Sequence, residues 1–273
     1  MVEYMAVVNL TPDSFHEPSR MWDAGGVPVE SCVRRVRDLL AAGASIVDLG
    51  AVSTRPGAAA VPVEEEWRRL EPVLHALSTL LPSSGRNPVS VSAPAGLGMR
   101  ISIDTTSSEI VRRAYDVIGP FIVNDISAGE NDPYMLPLAA RLGLTYVAMH
   151  KRGTPSTMDG LCWYSGGVVE ELLSYFGAFS KRASSLGLSD WILDPGLGFA
   201  KTPAQCWEIL LQLERLQVFG RPVLVGAADK RFTRSVPEDL QRQYPGASGE
   251  EIANCLSVRG GASILRVHRV PGL

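Results

Sequence analysis

Along the chain, short apolar runs stop abruptly at a polar residue, pass through a loop and give way to a helical pattern. Eight such runs occupy residues 6–9, 46–48, 101–104, 121–125, 145–150, 191–194, 222–226 and 263–268. A run that is apolar on both faces predicts a strand buried in a parallel sheet. The runs end at Asn9, Asp48, Asp104, Asn124, Met149 with His150, Asp194, Lys230 just past the seventh, and Arg266 with His268. Eight strand-loop-helix repeats predict an α/β chain folded as a (β/α)8 TIM barrel. All the strand ends then meet on one face, where chemistry sits in that architecture. A doubly wound sheet would spread them along an edge instead.

The helices between the runs follow the 3.6-residue period. The first carries Val33, Val36, Leu39 and Leu40 and stops at Gly43. The second, over residues 63–81, carries Trp67, Leu70, Leu74, Leu77 and Leu81, with Pro72 predicting a kink. Residues 82–98 are rich in Pro, Ser and Gly and join a helix to the next strand. That position predicts a silent insertion opposite the strand ends, within one domain spanning residues 1–273. The sequence stops five residues after His268, which leaves no room for an eighth helix. The expected consequence is an uncovered strip along the last strand and the first helix, at Val33, Val36 and Leu40, and a homodimer that hides it.

Composition narrows the partners. A net charge of −3 offers no surface for nucleic acid or an anionic membrane. No apolar run is long enough to span a bilayer. Cys32, Cys162, Cys206 and Cys255 form no CxxC or Cys/His ligand pattern, which predicts reduced thiols and a cytoplasmic setting.

Three loops hold the strongest chemical signals. After Asp48 comes Ser53-Thr54-Arg55-Pro56-Gly57, two hydroxyls and a guanidinium at a strand end. After Asp194 comes Pro195-Gly196-Leu197-Gly198-Phe199-Ala200-Lys201, whose glycines let backbone approach a ligand. Arg266 and His268 offer cationic donors at the last strand. No Ser/His/Asp or Cys/His nucleophile set stands out.

Together with Asn9-Leu10-Thr11-Pro12-Asp13-Ser14-Phe15, Asp104, Asn124-Asp125-Ile126, Arg152-Gly153-Thr154-Pro155 and Lys230, these motifs make the chain resemble the dihydropteroate synthases of the pterin-binding barrel superfamily. The resemblance covers most of the chain. It implies a transferase of folate biosynthesis and a sulfonamide target. The reaction would condense (7,8-dihydropterin-6-yl)methyl diphosphate with 4-aminobenzoate and release pyrophosphate.

By the same resemblance, Asp104, Asn124, Asp194 and Lys230 would hold the pterin, with Asp48 and Met149 also in the site. Asn9, Arg55, Arg266 and His268 would hold the diphosphate, with Asn9 as a Mg²⁺ ligand. Thr54, Pro56, Phe199 and Lys230 would border 4-aminobenzoate, and Lys230, Asp194 and Arg266 would serve catalysis. Asp229 and Arg231 stand where the family usually has Arg and Ser, Val52 where it has Glu, and Arg269 where it has Asp. The alternatives are a pterin-binding paralogue with little catalysis and a relative of the methyltetrahydrofolate:corrinoid methyltransferases.

Overall fold

The computed structural model describes residues 2–11, 21, 26–53, 60–80, 99–154 and 156–270. Its strands are β1 (Glu3–Asn9), β2 (Ile46–Gly50), β3 (Arg100–Asp104), β4 (Ile122–Asp125), β5 (Thr145–Met149), β6 (Trp191–Asp194), β7 (Leu224–Val225) and β8 (Ile264–Val267). All pairings are parallel, in the order β6-β5-β4-β3-β2-β1-β8-β7. A parallel bridge between Leu193 and Val223 joins the two ends and closes the barrel.

The described helices are α1 (Val29–Ala41), α2 (Val63–Ser78), α3 (Ser108–Ile118), α4 (Met135–Leu142), α5 (Val168–Ser185), α6 (Pro203–Leu211), α7 (Glu238–Gln243) and α8 (Gly249–Arg259). Both α7 and α8 lie between β7 and β8. Pro72 stays inside α2.

Strand alternation sorts the interior into layers. Met5, Ile46, Ile122, Val147, Ile192, Leu224 and Ile264 are wholly buried and pack only with one another, as the apolar plug of the barrel. Two residues further along each strand, on the same inward face, stand Val7, Asp48, Asn124, Met149, Asp194, Gly226 and Arg266. The fold therefore stacks a polar layer directly on the plug, at the C-terminal ends of the strands. Outward residues such as Val47, Ile101, Val123, Trp191 and Leu265 belong to the larger core between strands and helices. Asp125 faces outward, as alternation requires. It is fully buried and accepts from the Tyr146 hydroxyl at 2.6 Å and the Gly129 amide at 2.9 Å.

Three expectations change. β1 begins at Glu3 rather than Ala6, because the Glu3 carboxylate pairs with Arg100 and accepts from Ser45 Oγ at 2.8 Å. β7 is shorter than residues 222–226: Pro222 has no N–H to give a ladder, and only its carbonyl serves, accepting from Leu193 N at 2.9 Å.

The third concerns the strip beside the last strand. No helix follows β8 among the described residues. Yet Leu265 and Val267 are 3% exposed and Val36 is fully buried, with Val33 and Leu40 half-buried against the core. The chain after β8 turns back over α1. Val270 enters the main core, and Arg35 Nη2 donates to the His268 carbonyl at 3.3 Å. Residues 82–98 lie outside the described residues.

Candidate active site

Asp48 is the hub of the polar layer. It has no exposed surface, so every lone pair must find a donor inside the protein. Ser102 Oγ donates to its Oδ1 at 2.6 Å, Asn124 Nδ2 to its Oδ2 at 3.1 Å, and Arg266 Nε to the same Oδ2 at 2.8 Å. Arg266 Nη2 also reaches Asp104 Oδ2 at 3.0 Å. The geometry leaves the Asn124 carbonyl oxygen as the end of that amide turned away from Asp48.

Asp104, at the end of β3, pairs in register with Asn124 and Gly50. Burial pushes its carboxyl up to about 7; Arg266 opposes this, while the Asp48 charge adds to it. One guanidinium between two carboxylates cannot fully compensate both. Burial works against the Arg266 charge, but Asp48 and Asp104 hold it and raise its pKa overall.

Across the barrel, Asp194 lies in register with Met149 and is 9% exposed. Burial raises its pKa, against the Gly196 N–H that donates to Oδ1 at 2.7 Å and the charge of Lys230. Lys230, on the loop after β7, is pushed down to about 8 by burial and then by Arg266. Its Nζ sits 4.4 Å from the centre of the Phe199 ring, a cation–π contact. Asp104, Asn124, Met149, Asp194, Phe199, Lys230, Asp48 and Arg266 are thus brought to one end of the barrel.

Asn9 ends β1 beside Gly50, and its Oδ1 lies 3.6 Å from where a Cβ on Gly50 would stand. A side chain there would crowd the Asn9 amide, so this strand end tolerates little bulk. His268 is half-buried just past β8. Thr54, Arg55 and Pro56 lie outside the described residues. No cluster of three or more His, Cys, Asp or Glu side chains able to hold a metal exists among the described residues.

Sequence reading gave no role to Lys201 and left His150 between structural and functional. Both are buried beside the site. Lys201 Nζ meets His150 Nδ1 at 2.9 Å, the Phe199 carbonyl at 3.0 Å and the His150 carbonyl at 3.3 Å. Burial, then the charges of Lys201 and Arg152, push the imidazole down to about 2, so it is neutral. Burial lowers Lys201 to about 7. The signal available was the lysine closing the glycine-rich loop; its direction was not readable.

The loop of residues 195–202 bends sharply to reach this arrangement. Gly196 has φ +65°, and a Cβ there would stand 2.0 Å from the His150 carbonyl oxygen. Ala200 also takes a left-handed φ, of 52°, while its carbonyl accepts from Tyr164 at 2.8 Å. Thr202 then starts α6 with a reciprocal capping box to Gln205. Arg231 crosses from the loop after β7 to Asp159, on the loop after β5, at 3.2 Å on the surface.

Comparison with known proteins agrees with this layout. A family model described as "Pterin binding enzyme" matches residues 5–268. The dihydropteroate synthase of Synechocystis is 35% identical, over 98% of this chain and 86% of its own length. The structure of the Yersinia pestis dihydropteroate synthase with a sulfonamide drug superposes with a TM-score of 0.80 at 28% identity, covering 98% of this chain and 89% of that one. The Thermus thermophilus enzyme in complex with 4-aminobenzoate gives a TM-score of 0.73 at 34% identity, again over 98% and 89%. Its complex with 6HMPPP gives 0.71 at 32% identity over the same shares. The carboxylates, amide and lysine gathered above the barrel plug stand in a chain that belongs to the dihydropteroate synthase family of pterin-binding transferases.

Proposed function

We propose that this chain condenses (7,8-dihydropterin-6-yl)methyl diphosphate with 4-aminobenzoate, using the polar layer as its pterin seat. The observation that carries the reading is the set Asp48, Asn124, Asp194 and Arg266, one residue pair above a dry apolar plug. A 2-amino-4-oxopterin presents donors and acceptors along its edge, and a buried site of matched groups rejects rings that leave them unpaired. The Asp194 carboxylate suits the ring's N–H donors, the Asn124 carbonyl its amino group, and the Lys230 ammonium its acceptors. Asp104 and Met149 border the ring. Asp48 touches none of it; it holds Asn124 and Arg266 in place.

In the reaction the methylene–oxygen bond breaks and its electron pair leaves with pyrophosphate. The carbocation is conjugated to the pterin, and the nearby carboxylates stabilise its charge. The arylamine nitrogen then forms the new bond and releases its proton to water or pyrophosphate. Arg266, Arg55 and His268 would receive the diphosphate, and Thr54, Pro56 and Phe199 would border the arylamine.

Mg²⁺ would be held by the Asn9 amide oxygen with diphosphate and water oxygens, which suits an ion that keeps much of its hydration; when bound it neutralises charge on the leaving group. The lack of a carboxylate cluster among the described residues fits a cation that arrives with the substrate. Two further proposals accompany this reading. Four cysteines without a disulfide suit a cytoplasmic setting. Exposed Leu211, Val218 and Val258 on adjoining outer segments offer a homodimer surface, which light scattering after size exclusion would test.

The experiment is dihydropteroate formation with Mg²⁺ and with EDTA, for wild type and Asp194→Ala. Wild type should turn over only with the metal. The variant should lose at least tenfold in pterin affinity, since a charged hydrogen-bond partner contributes roughly 1.5–3 kcal/mol. Tight pterin binding without product would favour a non-catalytic paralogue, and unchanged affinity in Asp194→Ala would remove it from the pterin seat.

A further inference from the structure

Lys201 is buried at 7% exposure, yet it points at no open space. An ammonium has three N–H donors. Here three acceptors surround it: the carbonyl of Phe199, the carbonyl of His150 and the neutral His150 imidazole. The lone pair on Nδ1 requires the His150 proton to sit on Nε2. That nitrogen lies 3.8 Å from Glu171, whose carboxylate is also held by Arg152 at 2.7 Å. Tyr175 packs edge-on against the imidazole with ring centres 4.8 Å apart. The imidazole is therefore fixed from both sides, and Lys201 is fixed to it.

The far end of this chain of contacts is Phe199. The loop that carries it contains two left-handed glycines and the left-handed Ala200, so its backbone has no regular ladder to hold its shape. Two side chains supply the hold: Tyr164 on the Ala200 carbonyl and Lys201 on the Phe199 carbonyl. Phe199 in turn lies against Lys230. With all three donors engaged, Lys201 has none left for a substrate.

We propose that Lys201 is a positioning residue for the arylamine side of the site, tying the end of β5 to the Phe199 carbonyl so that the Phe199 ring stays seated against Lys230. This rests on the functional reading above, in which Phe199 borders 4-aminobenzoate. Loss of the tie frees the ring and weakens the arylamine subsite, while Asp194, Asn124 and Asp48 keep the pterin seat.

The test is a double-mutant cycle between Lys201→Met and Phe199→Ala. Calorimetry measures 6-hydroxymethylpterin binding alone. It then measures 4-aminobenzoate binding with that pterin, Mg²⁺ and pyrophosphate present, a set that cannot react. Lys201→Met should weaken 4-aminobenzoate at least tenfold and the pterin less than threefold. Adding Lys201→Met to Phe199→Ala should cost less than a further threefold. Equal losses for both ligands, unchanged 4-aminobenzoate affinity, or multiplying losses in the double variant would overturn the proposal.

If Lys201→Met does not fold, Tyr164→Phe loosens the same loop and keeps the ammonium. A selective three- to fivefold loss of 4-aminobenzoate affinity supports the proposal, and no loss overturns it. Wild-type turnover is measured separately. A wild type that binds both ligands but forms no dihydropteroate removes the functional reading while the affinity ratios still decide the role of Lys201.

Discussion

Asp48→Asn tests whether the polar layer is one coupled unit. The substitution keeps the shape of the side chain and exchanges one oxygen for an NH₂ group. If the retained oxygen faces Ser102, the new donors face Asn124 Nδ2 and Arg266 Nε, which are donors already. Turning the amide over moves the conflict to Ser102, whose hydroxyl can rotate, but leaves Arg266 opposite a neutral oxygen.

Either way a wholly buried charge is lost opposite a guanidinium that is 25% exposed. Breaking a buried ion pair costs about 3–5 kcal/mol. Partial access of water to Arg266, and its second carboxylate at Asp104, argue for the lower end, about 3 kcal/mol. A chain of this size loses about 2–4 °C of melting temperature per kcal/mol, so the midpoint should fall by roughly 6–12 °C.

The same variant releases the Asn124 amide, so pterin affinity should fall at least tenfold along with stability. Thermal unfolding by circular dichroism and calorimetric pterin titration read the two effects independently. A midpoint within about 2 °C of wild type, together with unchanged pterin affinity, would refute the coupling and make Asp48 an incidental buried carboxylate.

Two further outcomes follow from the same geometry. The folded-state pKa of Asp104, about 7, stands above the ordinary value of 3.8, so the folded chain holds this proton more tightly than the unfolded one. Its ionisation therefore opposes folding: the stability of wild type relative to Asp104→Asn should fall as pH rises from about 4 to about 7 and then level off, and denaturant midpoints showing no such drift would contradict the pairing described here. Gly196→Ala places a methyl 2.0 Å from the His150 carbonyl at φ +65°, so beyond the left-handed penalty of about 1–2 kcal/mol the loop must move. Turnover should drop more than tenfold in steady-state assay, and a fully active variant would show that the loop tolerates displacement from β5.

The strand ends were readable because a buried parallel strand has no polar residue until it leaves the core. Asp48, Asn124 and Asp194 therefore announced themselves, and period-two alternation separated Asn124 from Asp125 correctly. Lys201 was not readable, since its role needs the carbonyl of a residue 51 positions away, brought close only by the β5–β6 pairing. The predicted exposed strip failed for a similar reason. Val270 looks like a tail residue in sequence, and only the turn after β8 carries it onto the core beside α1. Glu3 was passed over as a strand residue because its partner Arg100 lies on another strand.

The charge balance of the layer bears on why a barrel with so little nucleophilic chemistry can catalyse at all. Asp48, Asp104 and Asp194 face Arg266 and Lys230, three carboxylates against two cations. Burial raises Asp104 and Asp194 and lowers Lys230, as expected where charge is incompletely compensated. A neutral pterin arriving in such a site gains hydrogen bonds but relieves none of the excess. A pterin methylene that acquires positive charge as pyrophosphate departs relieves it directly, so the site favours the transition state over the bound substrate. The required asymmetry is already present in the fixed groups above the plug, and it makes the arylamine subsite a matter of placement alone. That is why a positioning lysine, and no general base, stands behind Phe199.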